Sequence, residues 1–208
     1  SPAQLLDDQI HLESHNQGHV LESLYFFPHQ CRKAWEDSFE TIIPASCLLV
    51  DHIVYTGMGG SALPGLILKS VAEPILRRPF IVHSTYHLPR FVSLKSLVLA
   101  VSYSGDTAET LSTVAEAREK GAQIFCISSG GKLKEMAQTY SLPGYFFDQQ
   151  FNPARQPRLG GGYQIMATLG LLSKCGHIHF EDSQALAAIH YLVSQGGNFD
   201  SKIPYEHL

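Results

Sequence analysis

HIVYTGMGGS (residues 52–61) runs a β-branched and aromatic stretch into glycines, and Ser61 then opens an apolar pattern at Leu63, Leu66, Ile67 and Val71. That order reads as a strand, a tight turn and a helix over Ser61 to Ala72. LVLAVSYSGDT (residues 97–107) repeats it: an apolar run, a small polar loop, then a helix from Thr107 to Lys120 stopped by Gly121. Glycine suits that stop because it tolerates the left-handed conformation past a helix end. Further strands are expected at Phe80–Ser84, Gln123–Ile127 and Gly144–Phe147, with a helix over Lys132–Tyr140. Strands apolar on both faces and separated by helices form parallel sheets covered on each side. The expected fold is therefore α/β, a doubly wound, mostly parallel five-stranded sheet. In such sheets ligands bind beyond the carboxyl ends of the strands.

Outward from this centre the texture changes. Residues 1–45 read as a helical segment, with Leu5, Leu6, Ile10 and Leu12, then Val20, Leu21, Leu24 and Tyr25, at helical spacings. Pro28 is expected to interrupt them, and Cys31 to Phe39 to form another helix ended near Pro44. Packing or dimer contact is the expected job of this segment. Residues 46–150 form the α/β domain. Residues 151–208 hold a linker and helices, Tyr163–Lys174 and Ser183–Ser194, ahead of a polar tail.

Composition narrows the function classes. Charged residues are 16% of the 208 and hydrophobic ones 44%, an ordinary globular balance. The formal net charge of -4 offers no basic excess, so neither nucleic acid nor a membrane surface is an expected partner. No run is long and apolar enough for a spanning helix, and no signal-peptide pattern opens the chain. Cys31, Cys47, Cys126 and Cys175 are widely spaced, with no CxxC pair. They read as reduced thiols of a cytoplasmic protein. His177 and His179 lack companions at zinc-ligand spacing, so no metal is expected.

The chemistry is concentrated in the strand-to-helix loops. Gly57-Met58-Gly59-Gly60-Ser61 lets the backbone turn tightly and sets N–H groups ahead of a helix, a seat for phosphate. Read alone, it is equally an ordinary turn with Ser61 as helix cap. It fits neither GxGxxG nor the Walker pattern, lacking a lysine after its glycines. The second loop offers Ser102, Ser104 and Thr107 beside Gly105 and a helix start. Capping accounts for one of these hydroxyls; three make an anion cradle that needs no cation. Ser128-Ser129-Gly130-Gly131 ends a third strand and lines the same crevice or forms a plain turn.

Four motifs in succession, GMGGS (57–61), VSYSGDTAET (101–110), ISSGGKL (127–133) and QPRLGGGY (156–163), resemble the bifunctional phosphoglucose/phosphomannose isomerases of the sugar isomerase (SIS) superfamily. Tyr86-His87-Leu88-Pro89 also looks like that family's loop after the second strand. The resemblance implies that Gly59, Gly60 and Ser61 flank a sugar and that Ser102, Ser104 and Thr107 hold its phosphate. It implies that Arg158 points at the reacting carbons, where an arginine stabilises the enediolate formed when C2 loses its proton. It further implies an aldose–ketose isomerase acting on hexose 6-phosphates, without cofactor or metal, and a homodimer.

These isomerases pair two SIS domains and carry a catalytic Glu and a ring-opening His in the second. Glu206-His207 comes too early to supply them, so the chain is expected to bind a hexose phosphate without turnover and no base is assigned. The alternative is a regulatory SIS module that senses a phosphosugar. It is disfavoured by the lack of a basic helix-turn-helix stretch. A nucleotide-binding domain is disfavoured too, since no acidic residue closes the second strand near Ser84 and Thr85 to hold a ribose.

Overall fold

The computed structural model describes residues 8–196. Leu5, Leu6 and the polar tail with Glu206 and His207 lie outside them. The chain enters through α1 (Gln9–His15), α2 (Val20–Tyr25) and α3 (Phe27–Glu40). Asp8 caps α1 by accepting a hydrogen bond from His11 N at 3.1 Å. The interruption expected at Pro28 falls two residues earlier, at Phe26 between α2 and α3, and Pro28 itself sits in the first turn of α3. That first turn has no N–H bond to lose, and the proline φ is already helical.

Five strands follow: β1 (His52–Thr56), β2 (Phe80–His83), β3 (Ser96–Val101), β4 (Gln123–Ser128) and β5 (Gly144–Phe146). All pairings are parallel, in the order β2-β1-β3-β4-β5. Helices α4 (Ala62–Ala72), α5 (Ala108–Glu119) and α6 (Gly131–Thr139) connect β1 to β2, β3 to β4 and β4 to β5, and a loop over residues 84–95 joins β2 to β3. Helices α7 (Gly161–Lys174) and α8 (Asp182–Gly196) close the described chain.

Alternate residues of one strand feed two separate cores, as the two-residue period demands. Ile53, Tyr55, Leu97, Leu99, Phe125 and Ile127 face α3, α4, α7 and α8. Val54, Val98, Ala100, Ile124 and Cys126 face α5 and α6. Every residue of β3 is buried, which explains its unbroken apolar run. The first core is built across the chain: Trp35 of α3 packs there and donates from Nε1 to Asp182 Oδ1 at 2.7 Å. The four cysteines are all buried and unpaired.

Candidate functional site at the strand-order switch

The strand order reverses between β1 and β3. The connection out of β1 leads to β2 on one side, and that out of β3 to β4 on the other. Loops leaving two such strands diverge toward opposite faces and leave a crevice at the carboxyl edge. The two glycine-and-hydroxyl loops are the walls of that crevice.

They are bonded directly to each other. The Tyr103 N–H donates to Ser61 Oγ at 3.0 Å, and Gln164 Nε2 of α7 donates to the same oxygen at 3.3 Å. Tyr55 OH, from β1, donates to the Ser61 carbonyl at 2.9 Å. Ser61 is buried, makes no cap bond to α4, and turns its hydroxyl into the protein. Gly59 is exposed and Gly60 half-buried. A Cβ on Gly60 would stand 3.1 Å from Arg158 N and 3.2 Å from Arg158 Cγ. A side chain there would press on the short 3-10 turn Pro157–Gly160, which lies close on this elbow. Arg158, in that turn, is exposed.

The second elbow is braced internally. Ser102 Oγ lies 2.8 Å from Thr107 Oγ1 and accepts from Gly105 N at 3.1 Å. Ser104 Oγ accepts from Asp106 N at 3.2 Å. Gly105 has φ +82° with the Gly130 carbonyl pressed against it, so a side chain there meets both backbone strain and a wall. Ser102 is buried, Thr107 half-buried and Ser104 exposed. Thr107 caps α5 in extended conformation without a side-chain cap bond. The first-turn N–H groups of α5 therefore have no side-chain cap from Thr107.

The third loop is sewn on. Ser129 donates to the Tyr103 carbonyl from N at 2.9 Å and from Oγ at 2.8 Å, and Leu133 N donates to the Gly105 carbonyl at 2.9 Å. Asp106 Oδ1 accepts from Lys132 N at 3.1 Å. All seven residues expected at the site therefore lie on loops joined at one edge of the sheet. Glu116 accepts from Leu88 N at 2.8 Å and ties the loop after β2 to α5. Sequence reasoning missed Tyr103, Asn152 and Gln164, which bond the loops together; nothing local marks them. Burial pushes the Tyr103 phenol up to about 12, so it stays a hydroxyl at neutral pH. Among the described residues no cluster of three metal-ligating side chains occurs, and no helix is long and apolar enough to cross a membrane.

A 2-1-3-4-5 parallel sheet with glycine-and-hydroxyl loops at its switch point is an open, doubly wound α/β domain. Residues 50–139 match the SIS domain family model. It is 37% identical over 188 residues to a bifunctional phosphoglucose/phosphomannose isomerase of Caldicellulosiruptor bescii, covering 90% of this chain and 54% of that protein. It is 38% identical over 136 residues to the enzyme of the same name from Thermoplasma acidophilum, covering 65% of this chain and 40% of that one. The chain thus spans about half the length of these relatives. In fold it matches a candidate phosphosugar isomerase of Clostridium difficile 630, with TM-score 0.62, 13% identity, and coverage of 86% of this chain and 52% of that one. The C-terminal domain of glucosamine-fructose-6-phosphate aminotransferase from Francisella tularensis gives TM-score 0.60 at 17% identity, covering 86% of this chain and 54% of that chain.

Proposed function

We propose that this chain is the phosphosugar-binding N-terminal half of an aldose–ketose isomerase acting on hexose 6-phosphates. The observation that carries the reading is the uncapped N-terminus of α5 beside Ser104 and Thr107, with the Arg158 turn packed on Gly60 across the same crevice. In this reading the α5 N–H groups, Ser104 and Thr107 clasp the phosphate, and Ser102 holds Thr107 in place. Gly59, Gly60 and Ser61 form the sugar-side wall. Arg158 faces the reacting carbons and offsets the negative charge of an enediolate during proton transfer between C1 and C2. A hydrogen bond to a charged group is worth roughly 1.5–3 kcal/mol, so several offset the dehydration of a phosphate without a lysine. The likeness to bifunctional phosphoglucose/phosphomannose isomerases supports this substrate class. Exposed Leu24 and Tyr25 on α2, and Leu66 and Val71 on α4, support a homodimer.

The test is calorimetric titration with glucose 6-phosphate, fructose 6-phosphate and mannose 6-phosphate. Wild type binds them in preference to the unphosphorylated sugars, and Ser104→Ala and Thr107→Ala each weaken binding. Equal affinity for sugar and sugar phosphate would overturn the reading. No described residue is assigned proton transfer, and the chain is expected to bind without interconverting these sugars.

A further inference from the structure

The loop carrying Arg158 is gripped from two sides by a pair of fully buried amides. Asn152 lies within that loop. Its Nδ2 donates to Tyr103 OH at 2.7 Å and to the Gln156 carbonyl, two residues before Arg158, at 2.9 Å. Tyr103 belongs to the second elbow; its N–H rests on Ser61 Oγ and its phenol donates to Gln149 Oε1 at 3.3 Å. One tyrosine thus touches the first elbow, the second elbow and the Arg158 loop.

On the other side stands α3. Gln30 Nε2 donates to the Phe151 carbonyl and the Leu159 carbonyl, both at 2.8 Å, so one side chain holds two points that bracket the loop. Ser23 of α2 accepts from Ala154 N at 3.0 Å. Both hydrogens of each amide are aimed at protein acceptors. The oxygens, Asn152 Oδ1 and Gln30 Oε1, are buried and have no partner among the described residues. A buried unpaired carbonyl costs roughly 1–3 kcal/mol. Two such amides around one loop therefore mark places where the donors are what the fold uses.

We infer that Asn152 and Gln30 are positioning residues that fix the Arg158 loop against the two elbows, with Tyr103 as the strut between loop and elbow. They touch no ligand and act through Arg158. The consequence for binding rests on the phosphosugar reading; the positioning itself does not.

Two measurements on the full chain separate these. The first needs no ligand: hydrogen exchange at Phe151, Ala154, Arg155 and Leu159. Asn152→Ala, Gln30→Met and Tyr103→Phe each speed exchange at these amides by roughly tenfold, the loss of about one hydrogen bond, while the bonded amides of Gly105 and Asp106 keep their wild-type exchange. Unchanged exchange, or acceleration spread evenly over the chain, overturns the inference. The second is a cycle with glucose 6-phosphate and inorganic phosphate. Asn152→Ala and Gln30→Met weaken the sugar phosphate several-fold, leave inorganic phosphate unchanged, and have no further effect once Arg158 is Ala. A loss that persists in Arg158→Ala, or that extends to inorganic phosphate, means the amides merely stabilise the fold and overturns the inference. If wild type binds no sugar phosphate, the proposed function falls and the exchange pattern alone decides the strut.

Discussion

The elbows after β1 and β3 look alike in sequence and do different things. Both are small, glycine-bearing and followed by a helix. In the first, Ser61 is buried and its hydroxyl accepts from Tyr103 N and Gln164 Nε2, so it joins loops. In the second, exposed Ser104 and half-buried Thr107 stand at a helix start without a side-chain cap, their hydroxyls engaged, among the described residues, only within the same loop. A motif hydroxyl can thus serve as a structural tie: both lone pairs of the Ser61 oxygen are engaged by N–H donors, which fixes it between the loops.

The difference can be broken most severely at Gly105. Gly105→Val adds a Cβ at φ +82° into the Gly130 carbonyl, and should cost about 3 kcal/mol or more and abolish phosphate binding. Urea unfolding reads the first and calorimetry the second. Ser61→Ala comes next. It leaves the buried Tyr103 N–H without its acceptor, so stability should fall by roughly 1–3 kcal/mol. Affinity should fall only in proportion to the misplaced elbow. Thr107→Ala should do the reverse, weakening phosphate binding roughly tenfold while the unfolding midpoint moves by less than about 0.5 kcal/mol equivalent. Should Ser61→Ala and Thr107→Ala give the same ratio of stability to affinity loss, the two elbows are not distinct in kind.

The smallest effect concerns pH, and it falls away from the elbows, which contain no histidine. His177 is buried against the Cys47 carbonyl at 2.8 Å, and its burial holds the imidazole below its usual range. The unfolded chain therefore takes up a proton that the folded chain refuses. This contribution to stability is full above about pH 6.5 and is lost as pH falls from there toward the depressed folded value. His177→Gln should flatten the acid side of the stability profile by that share and leave sugar-phosphate affinity unmoved.

Much of the fold was legible because it is written in short-range pattern. All five strands fall within a residue or so of where alternation and glycine punctuation put them, β2 ending at His83 rather than Ser84 and β4 running on to Ser128. The helix over Ala108–Glu119 starts one residue later than read, since Thr107 is its cap. Pro28 marked the break between α2 and α3 to within two residues, and only the residue at which the second helix starts differed, since a proline is accommodated inside a first turn. The N-terminal segment showed no chemical signature at all, yet its Gln30 and Ser23 grip the loop that carries Arg158.

By itself the sequence determined the alternation of strands and helices and the presence of two glycine-and-hydroxyl loops. These depend on side-chain periodicity and turn chemistry between near neighbours. The strand order, the turning of Ser61 into the protein and the amide grip on the Arg158 loop were decided only by the tertiary structure. Those bonds join residues 42, 49 and 121 positions apart, so their partners are chosen by the path of the chain through space.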